Sequence, residues 1–147
     1  LTWSQLVSLA DRTIPGGNIG PVGPVSTSGA CDTAAPFNWG NPSDPAAPCG
    51  AFFPIIHVTG DARLTGGGLG QGILLVDGDL DVIQPFGFFG IVIVRGDIDT
   101  STNVGQFYGH VRAHHVDLTS VSPTIPSVIG LSSCAIHRAV VNHPMLT

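Results

Sequence analysis

Short runs of aliphatic residues bounded by glycine dominate the second half of the chain. Residues 73–76 read Ile-Leu-Leu-Val and residues 91–94 read Ile-Val-Ile-Val. These runs are rich in β-branched residues and too short for helices, so they predict β-strands. Side chains alternate between the two faces of a strand. We therefore expect Leu74 and Val76 to point to one face and Leu75 to the other.

Glycine-aspartate pairs recur at a fixed spacing in the same half of the chain. They begin at Gly60, Gly78 and Gly96, so the two intervals are equal, at eighteen positions each. The same step also connects columns of mostly small or aliphatic residues, such as Ile56, Leu74, Val92, His110 and Val128, or Ala62, Leu80, Ile98, Val116 and Cys134. A short fixed period with stacked apolar columns is typical of a solenoid, in which each repeat packs only on its neighbours.

The repeat predicts an all-β fold, a short-coil β-helix (β-solenoid) of about five rungs of 18 residues over residues 53–147. A rung of this length allows about three strands of about 4–5 residues around a small triangular core. The period alone leaves the handedness open. Residues 1–52 are expected to form an irregular arm, with one short helix within residues 1–10. Seven prolines between residues 11 and 50 fix φ and remove backbone donors there.

One apolar column lies on the outward face of the predicted strands. It contains Leu75, Ile93, Val111 and Ile129. An exposed apolar stripe of that length is normally covered. Either the N-terminal arm, which carries Trp3, Phe37 and Trp39, or a partner protein covers it, and we favour the arm.

Composition narrows the class of protein. Only 10% of the residues are charged and 43% are hydrophobic, which excludes an intrinsically disordered chain. The net charge of −5 argues against nucleic acid or an anionic membrane surface as the main partner. No apolar run approaches the roughly 20 residues of a bilayer-spanning helix. Because the chain starts at Leu1 without a signal-peptide pattern, we expect that an upstream segment has been removed.

The three cysteines suggest an oxidising compartment. Cys31 and Cys49 flank a proline-rich loop, and a disulfide between them would constrain the arm. Cys134 falls on the apolar column of Leu80, so we expect a buried thiol. One disulfide and one buried thiol fit an extracytoplasmic protein.

Histidines raise the question of a metal site. His110, His114 and His115 cluster in the sequence, but zinc needs three or four converging ligands. His110 falls on a core column, and the neighbours His114 and His115 are expected to diverge. The interpretation of these residues as surface or interface histidines is therefore favoured, and metal binding stays open.

Aspartates also form columns along the repeat, namely Asp61, Asp79 and Asp97, and Asp81, Asp99 and Asp117. Stacked rungs place equivalent carboxylates about 4.8 Å apart. A calcium ion held by Asp77, Asp79 and Asp81 is one way to relieve their repulsion. Corner aspartates that accept backbone N–H bonds are the simpler explanation. We assign no metal and no cofactor.

Catalytic motifs are missing from the sequence. It contains no Gly-x-Ser-x-Gly elbow, phosphate-binding loop or dinucleotide fingerprint. Asp79 and Asp97 resemble a polysaccharide-cleaving pair, but their repetition along a column favours a structural role. We expect a protein that is not an enzyme.

Aromatic residues concentrate at one predicted corner. They are Phe86, Phe88, Phe89, Phe107 and Tyr108. A narrow triangular core has room for few such rings, and aromatic residues are enriched at the centres of protein interfaces. This corner is therefore the predicted interface, unless Trp3 or Trp39 of the arm covers it.

The stretch Gly70-Gln-Gly-Ile-Leu-Leu-Val-Asp-Gly-Asp-Leu80, followed by Phe88-Phe-Gly-Ile-Val-Ile-Val-Arg-Gly-Asp-Ile98, resembles bacterial envelope proteins of the PilX-like pilus-assembly type. More distantly it resembles the triangular coils of bactofilins. The resemblance implies an extracytoplasmic, non-enzymatic assembly or scaffold role in a bacterium, periplasmic or at the cell surface. It implies no catalytic residues.

The sequence thus favours a structural or assembly subunit that docks on a larger, possibly membrane-bound envelope complex of protein partners. A glycan-binding or polysaccharide-active β-helix protein is the alternative, because exposed aromatic residues beside paired acids would suit a glycan.

Overall fold

The computed structural model describes residues 1–100, 103–118, 127–141 and 143–146. Parallel stacked coils form a β-solenoid of about four turns, which confirms the predicted all-β solenoid. The strands are β1 Arg12–Ile19, β2 Ser26–Thr27, β3 Ala30–Cys31, β4 Ile55–Leu64, β5 Gly68–Val76, β6 Leu80–Val82, β7 Phe86–Val94, β8 Ile98–Asp99, β9 Gly105–Arg112, β10 Val116–Asp117 and β11 Val128–Leu131. The helices are α1 Trp3–Ser8, α2 Ser133–Val140 and a short 3-10 helix Pro144–Leu146.

The strands of the solenoid pair in parallel, in the order β10-β8-β6-β4-β5-β7-β9-β11. Strand β4 is long enough to turn a corner, so its first half pairs with β5 and its second half with β6. Ile55 pairs with Ile73, and Ile73 pairs with Ile91. Both pairings follow the step of eighteen that the sequence predicts.

The period changes in the last turns. Gly90 pairs with Gly109, one position beyond the regular step, and Phe107 pairs with Ile129, four positions beyond it. The step from β8 to β10 is still regular, because Ile98 pairs with Val116. The extra residue before β9 therefore lies in the corner between β8 and β9.

This insertion moves His110 out of the predicted core column. His110 pairs with Ile91 and is exposed, whereas Val111 pairs with Val92 and packs against the core. The expectation that His110 occupies a core position is wrong, and Val111 leaves the predicted outward stripe.

The core of the solenoid is filled by the inward column residues. Leu80, Leu74 and Val58 are fully buried, and Val92 and Ile98 are almost fully buried. The apolar column that contains Leu80 is less buried at its C-terminal end, where Val116 is 42% exposed. Within the described residues, β10 pairs with β8 alone.

Both ends of the chain cover part of the outward stripe. Leu75, Ile73 and Ile93 form a second apolar cluster with α1 and α2. The prediction that the arm covers the stripe is confirmed for Leu75 and Ile93, with α2 adding to the cover, whereas Ile129 is 38% exposed. Trp3 anchors α1, since its Nε1 donates to Asp77 Oδ1 at 3.1 Å.

The first half of the arm belongs to the solenoid. Strand β1 pairs in parallel with β4, with a register shift between Pro15 and Gly17. The expectation of irregular structure from residue 11 onwards is therefore wrong for residues 12–19. A strand tolerates proline at a sheet edge or beside such an irregularity. The predicted N-terminal helix is confirmed by α1.

The predicted fifth rung is largely replaced by helix α2. Only β11 continues the solenoid after residue 118 within the described residues. The Ser132 hydroxyl accepts from the N–H of Ala135 and caps α2. Cys134 lies on this helix and is exposed, so the prediction of a buried thiol is wrong.

Candidate functional site

Asp61, Asp79 and Asp97 stack at one corner of consecutive turns and form what we call the aspartate ladder. The N–H of Asp79 donates to Asp61 Oδ1 at 2.8 Å, and the N–H of Asp97 donates to Asp79 Oδ1 at 2.8 Å. These bonds confirm that corner aspartates accept backbone N–H groups. A bond of this kind to a charged acceptor is stronger than one between neutral groups.

The ladder explains why a glycine precedes each of its upper aspartates. A Cβ at Gly78 would lie 2.1 Å from Asp61 Oδ1, and one at Gly96 would lie 2.1 Å from Asp79 Oδ1. The carboxylate of the turn below occupies the place of the missing side chain. The repeated Gly-Asp pair is thus a steric requirement of the stacking.

The ladder ends at Asp97 because the next turn has no glycine. His114 stands one regular period after Gly96, and its N–H donates to Gly96 O at 2.8 Å, as Gly96 donates to Gly78. The side chain of His114 prevents Asp97 from repeating the pose of Asp79. Asp97 Oδ1 instead lies 3.2 Å from His114 Nδ1 and 3.3 Å from His115 Nδ1.

The two imidazole rings converge at this corner. Their centroids are 4.2 Å apart and their planes are close to perpendicular. The expectation that His114 and His115 diverge is wrong, because both lie at a bend between β9 and β10 rather than within a strand. Limited desolvation raises the pKa of Asp97, but the two imidazoles outweigh it and hold that pKa below its ordinary value.

This group is distinctive within the part of the chain that the structure describes. There it is the one set of three His, Cys, Asp or Glu residues whose ligand atoms lie within 4.8 Å of one another. The third predicted candidate, His110, is exposed on β9 and is not part of it. The sequence signal for the group is the replacement of Gly-Asp by His-His in the fourth repeat.

The aspartates proposed for calcium have other partners. Asp77 accepts from Trp3 and lies 3.0 Å from His57 Nε2. Asp79 belongs to the ladder. Asp81 lies opposite Asp99 in the strand register of the next turn. Desolvation, then the charges of Asp99 and Asp79, raise the pKa of Asp81. The three carboxylates do not converge.

A groove of about 560 Å³ opens beside His114. Trp3 and Leu6 of α1 line one side, and Ile93, Arg95 and Arg112 of the solenoid are among the residues of the other. The Arg95 guanidinium lies over the Trp3 ring, 5.5 Å from its centroid.

The predicted aromatic interface is mostly core. Phe86, Phe88 and Phe107 are buried together with Trp39, so the interface prediction is wrong for these three side chains, and the alternative that Trp39 of the arm covers the corner is confirmed for them. Phe89 and Tyr108 are half-buried on the outer face and stack with centroids 5.1 Å apart. Their rings point outward because side chains alternate along β7 and β9.

The two ends of the solenoid differ. At the first end, Arg12 of β1 donates to Thr33 O and Ala35 O of the arm, and the inward side chains Ile14 and Ile19 of that strand are buried. The other end, formed by β10 and β11 and here called the open end, has no further strand paired to it among the described residues. Its exposed apolar side chains are Val116, Ile129 and Leu131, which are 42%, 38% and 87% exposed.

The predicted disulfide is present. Cys31 and Cys49 are joined, with their Cα atoms 5.0 Å apart. The buried side chain of Asn38 donates to Val25 O and Asp32 O beside it. The disulfide therefore sits in an ordered part of the arm.

Comparisons with protein-family models, curated proteins and solved structures find no match for this chain. Among the described residues, no helix has both the length and the apolar character needed to cross a membrane.

Proposed function

We propose that this protein is a non-enzymatic structural subunit of an extracytoplasmic assembly and that it docks on a partner protein through its open end. The observation that carries the proposal is the difference between the two ends. The arm keeps the inward side chains of β1, Ile14 and Ile19, buried, while among the described residues β10 and β11 each pair with one strand only and carry exposed apolar side chains. Such an edge is a template for strand addition by another chain.

The chemistry of the open end favours a different protein over a second copy. Head-to-tail stacking of copies is disfavoured, because Pro15 and the register shift beside it interrupt the free edge of β1. A different protein that donates a strand with apolar side chains does not meet this obstacle and suits the exposed Val116, Ile129 and Leu131.

Two observations support the extracytoplasmic location. The Cys31–Cys49 disulfide persists in oxidising compartments and is rare in the cytosol. The Gly-Asp repeats also resemble those of bacterial envelope proteins. The location in a bacterial envelope and the partner complex are both part of the proposal.

A structural role also accounts for the acidic residues. The carboxylates of Asp61 and Asp79 accept backbone bonds within the solenoid, as expected of groups that hold turns together. The glycan-binding alternative has only the half-buried pair Phe89 and Tyr108 in its favour.

Site-specific photo-crosslinking in the native host tests the proposal. A photoreactive amino acid replaces Leu131 at the open end in one variant and Asp44 on the arm in the control. Both positions are exposed. We expect discrete crosslinks to one extracytoplasmic protein from position 131 and none to that protein from position 44.

A companion variant, Leu131→Lys with Ile129→Lys, should abolish co-purification of the crosslinked protein while leaving the melting temperature unchanged. Crosslinks only between copies of this chain, or equal crosslinking from both positions, would contradict the proposal.

A further inference from the structure

We propose that Asp97, His114 and His115 form a binding site for a divalent transition metal, with Zn²⁺ as the ion that fits best. The metal would join the turn that contains β9 and β10 to the turn before it. The proposal rests on the side chains at the end of the aspartate ladder and is independent of the proposed docking function.

The distances fit a metal shell. The two nitrogen atoms lie 3.2 Å and 3.3 Å from Asp97 Oδ1. Ligands bound to zinc at about 2.0–2.1 Å in a tetrahedron are separated by about 3.3 Å along each edge. A hydrogen bond from an imidazolium to a carboxylate is shorter, about 2.7–2.9 Å. The two nitrogen–oxygen distances thus match the edges of a zinc tetrahedron, and all three ligand atoms lie within 4.8 Å of one another.

The donor set selects the class of metal. Two imidazole nitrogens with one carboxylate oxygen suit Zn²⁺ and its neighbours in the transition series, whereas Ca²⁺ and Mg²⁺ prefer oxygen ligands alone. All three side chains are exposed, so water can complete the coordination. The carboxylates of Asp61 and Asp79 stack below and add negative potential along the same corner.

The repeat supplies the structural reason for a metal at this place. In the two steps before it, a carboxylate bonds to the backbone of the next turn because glycine leaves room. In the third step His114 replaces that glycine and His115 replaces the aspartate. A bound ion would restore the connection between the turns and fix the bend that leads into β10 at the open end.

Metal titration of the full untagged chain tests the site. A Cys134→Ser background removes the free thiol, a side chain of a type that competes for zinc. We expect one equivalent of Zn²⁺ to bind, and His114→Gln and His115→Gln each to weaken binding at least tenfold. The control His110→Gln, an exposed histidine on the same segment, should leave the affinity unchanged.

A ligand-exchange variant gives a second readout. In the same background His115→Cys should retain Co²⁺ and show a thiolate-to-cobalt charge-transfer band, since the two remaining cysteines are in the disulfide. Zn²⁺ should also raise the melting temperature of the parent and of His110→Gln, but not of His115→Gln. The parent and all variants are compared by circular dichroism before titration.

The proposal is overturned if the affinity of His115→Gln equals that of the parent, because the bound zinc would then be adventitious. It is equally overturned if His110→Gln weakens binding as much as the variants of the site, or if His115→Cys shows no thiolate band with Co²⁺.

Discussion

The same apolar column behaves differently in its interior and at its far end. Leu80, in the second turn of the column, is fully buried, whereas Val116, two turns further on, is 42% exposed. The column places both side chains towards the core. Leu80 has a turn on each side and Val116 has one described neighbour. The position of a residue in the repeat therefore determines whether its side chain points towards the core. Whether that side chain is buried depends on the presence of a turn on each side of it.

The largest expected effect on stability is the difference between a charge placed at position 80 and a charge placed at position 116. Leu80→Asp puts a charge into the dry core and should destabilise the protein by more than about 4 kcal/mol, enough to prevent folding. The matched variant Val116→Asp keeps its charge in contact with water and should cost about 1 kcal/mol or less. Circular dichroism and denaturant unfolding measure both. An equal loss of structure in the two variants would show that the open end is covered.

Removal of the disulfide tests how much the arm contributes to stability. Replacing both Cys31 and Cys49 with serine removes a crosslink between residues 18 apart in sequence and should cost about 3 kcal/mol in unfolding free energy. The control is Cys134→Ser on the exposed surface of α2, for which we expect a change within about 0.5 kcal/mol. If the control loses as much stability as the double variant, the exposed position of Cys134 is wrong.

The aspartate ladder is tested within the regular turns. Gly96→Ala brings a Cβ against Asp79 Oδ1 and should displace the carboxylate from the N–H of Asp97, at a cost of about 2 kcal/mol. Gly20→Ala is the control, because a Cβ there meets no atom within 4 Å. In an Asp79→Ala background, Gly96→Ala should cost clearly less, since the two residues are in contact. Additive losses in the double variant would contradict the steric explanation.

The smallest expected effect concerns Asp81. Its pKa is raised by desolvation, then by Asp99 and Asp79. The folded state therefore holds this proton more tightly than the unfolded chain, and the stability from protonation is lost as pH rises through the folded pKa.

Asp81→Asn should accordingly raise the unfolding free energy at neutral pH by about 0.5 kcal/mol or less, because water still screens the half-buried carboxylate in part. Denaturant unfolding at neutral pH and at about pH 3 measures the difference, which should vanish at the acidic pH. A loss of stability at neutral pH would contradict the expectation.

The strand runs and their register were predictable wherever the period of eighteen holds. Ile73 and Ile91 pair as the spacing predicts, because parallel stacking requires equal path lengths between turns. His110 was misplaced by one position because the corner before β9 contains one extra residue. An insertion in a corner leaves the hydrophobic pattern of the strands intact. Counting in steps of eighteen residues therefore does not detect it.

The sequence indicates only part of the candidate metal site. The sequence contains its residue types, and the missing Gly-Asp pair in the fourth repeat marks the position. The convergence of His114 and His115 depends on the bend between β9 and β10 and on the carboxylate of Asp97 from the previous turn. Neighbouring residues diverge in a strand, so the local pattern indicated the opposite.

The sequence by itself determined the repeat, the direction of the column side chains and the glycine before each ladder aspartate. These are local properties, since each follows from one turn and its copy one period later. The tertiary structure decided where the stack ends, which phenylalanines lie inside and what covers Leu75 and Ile93. Those outcomes depend on contacts between segments far apart in the chain, such as α1 and α2 against β5 and β7. No period encodes such contacts.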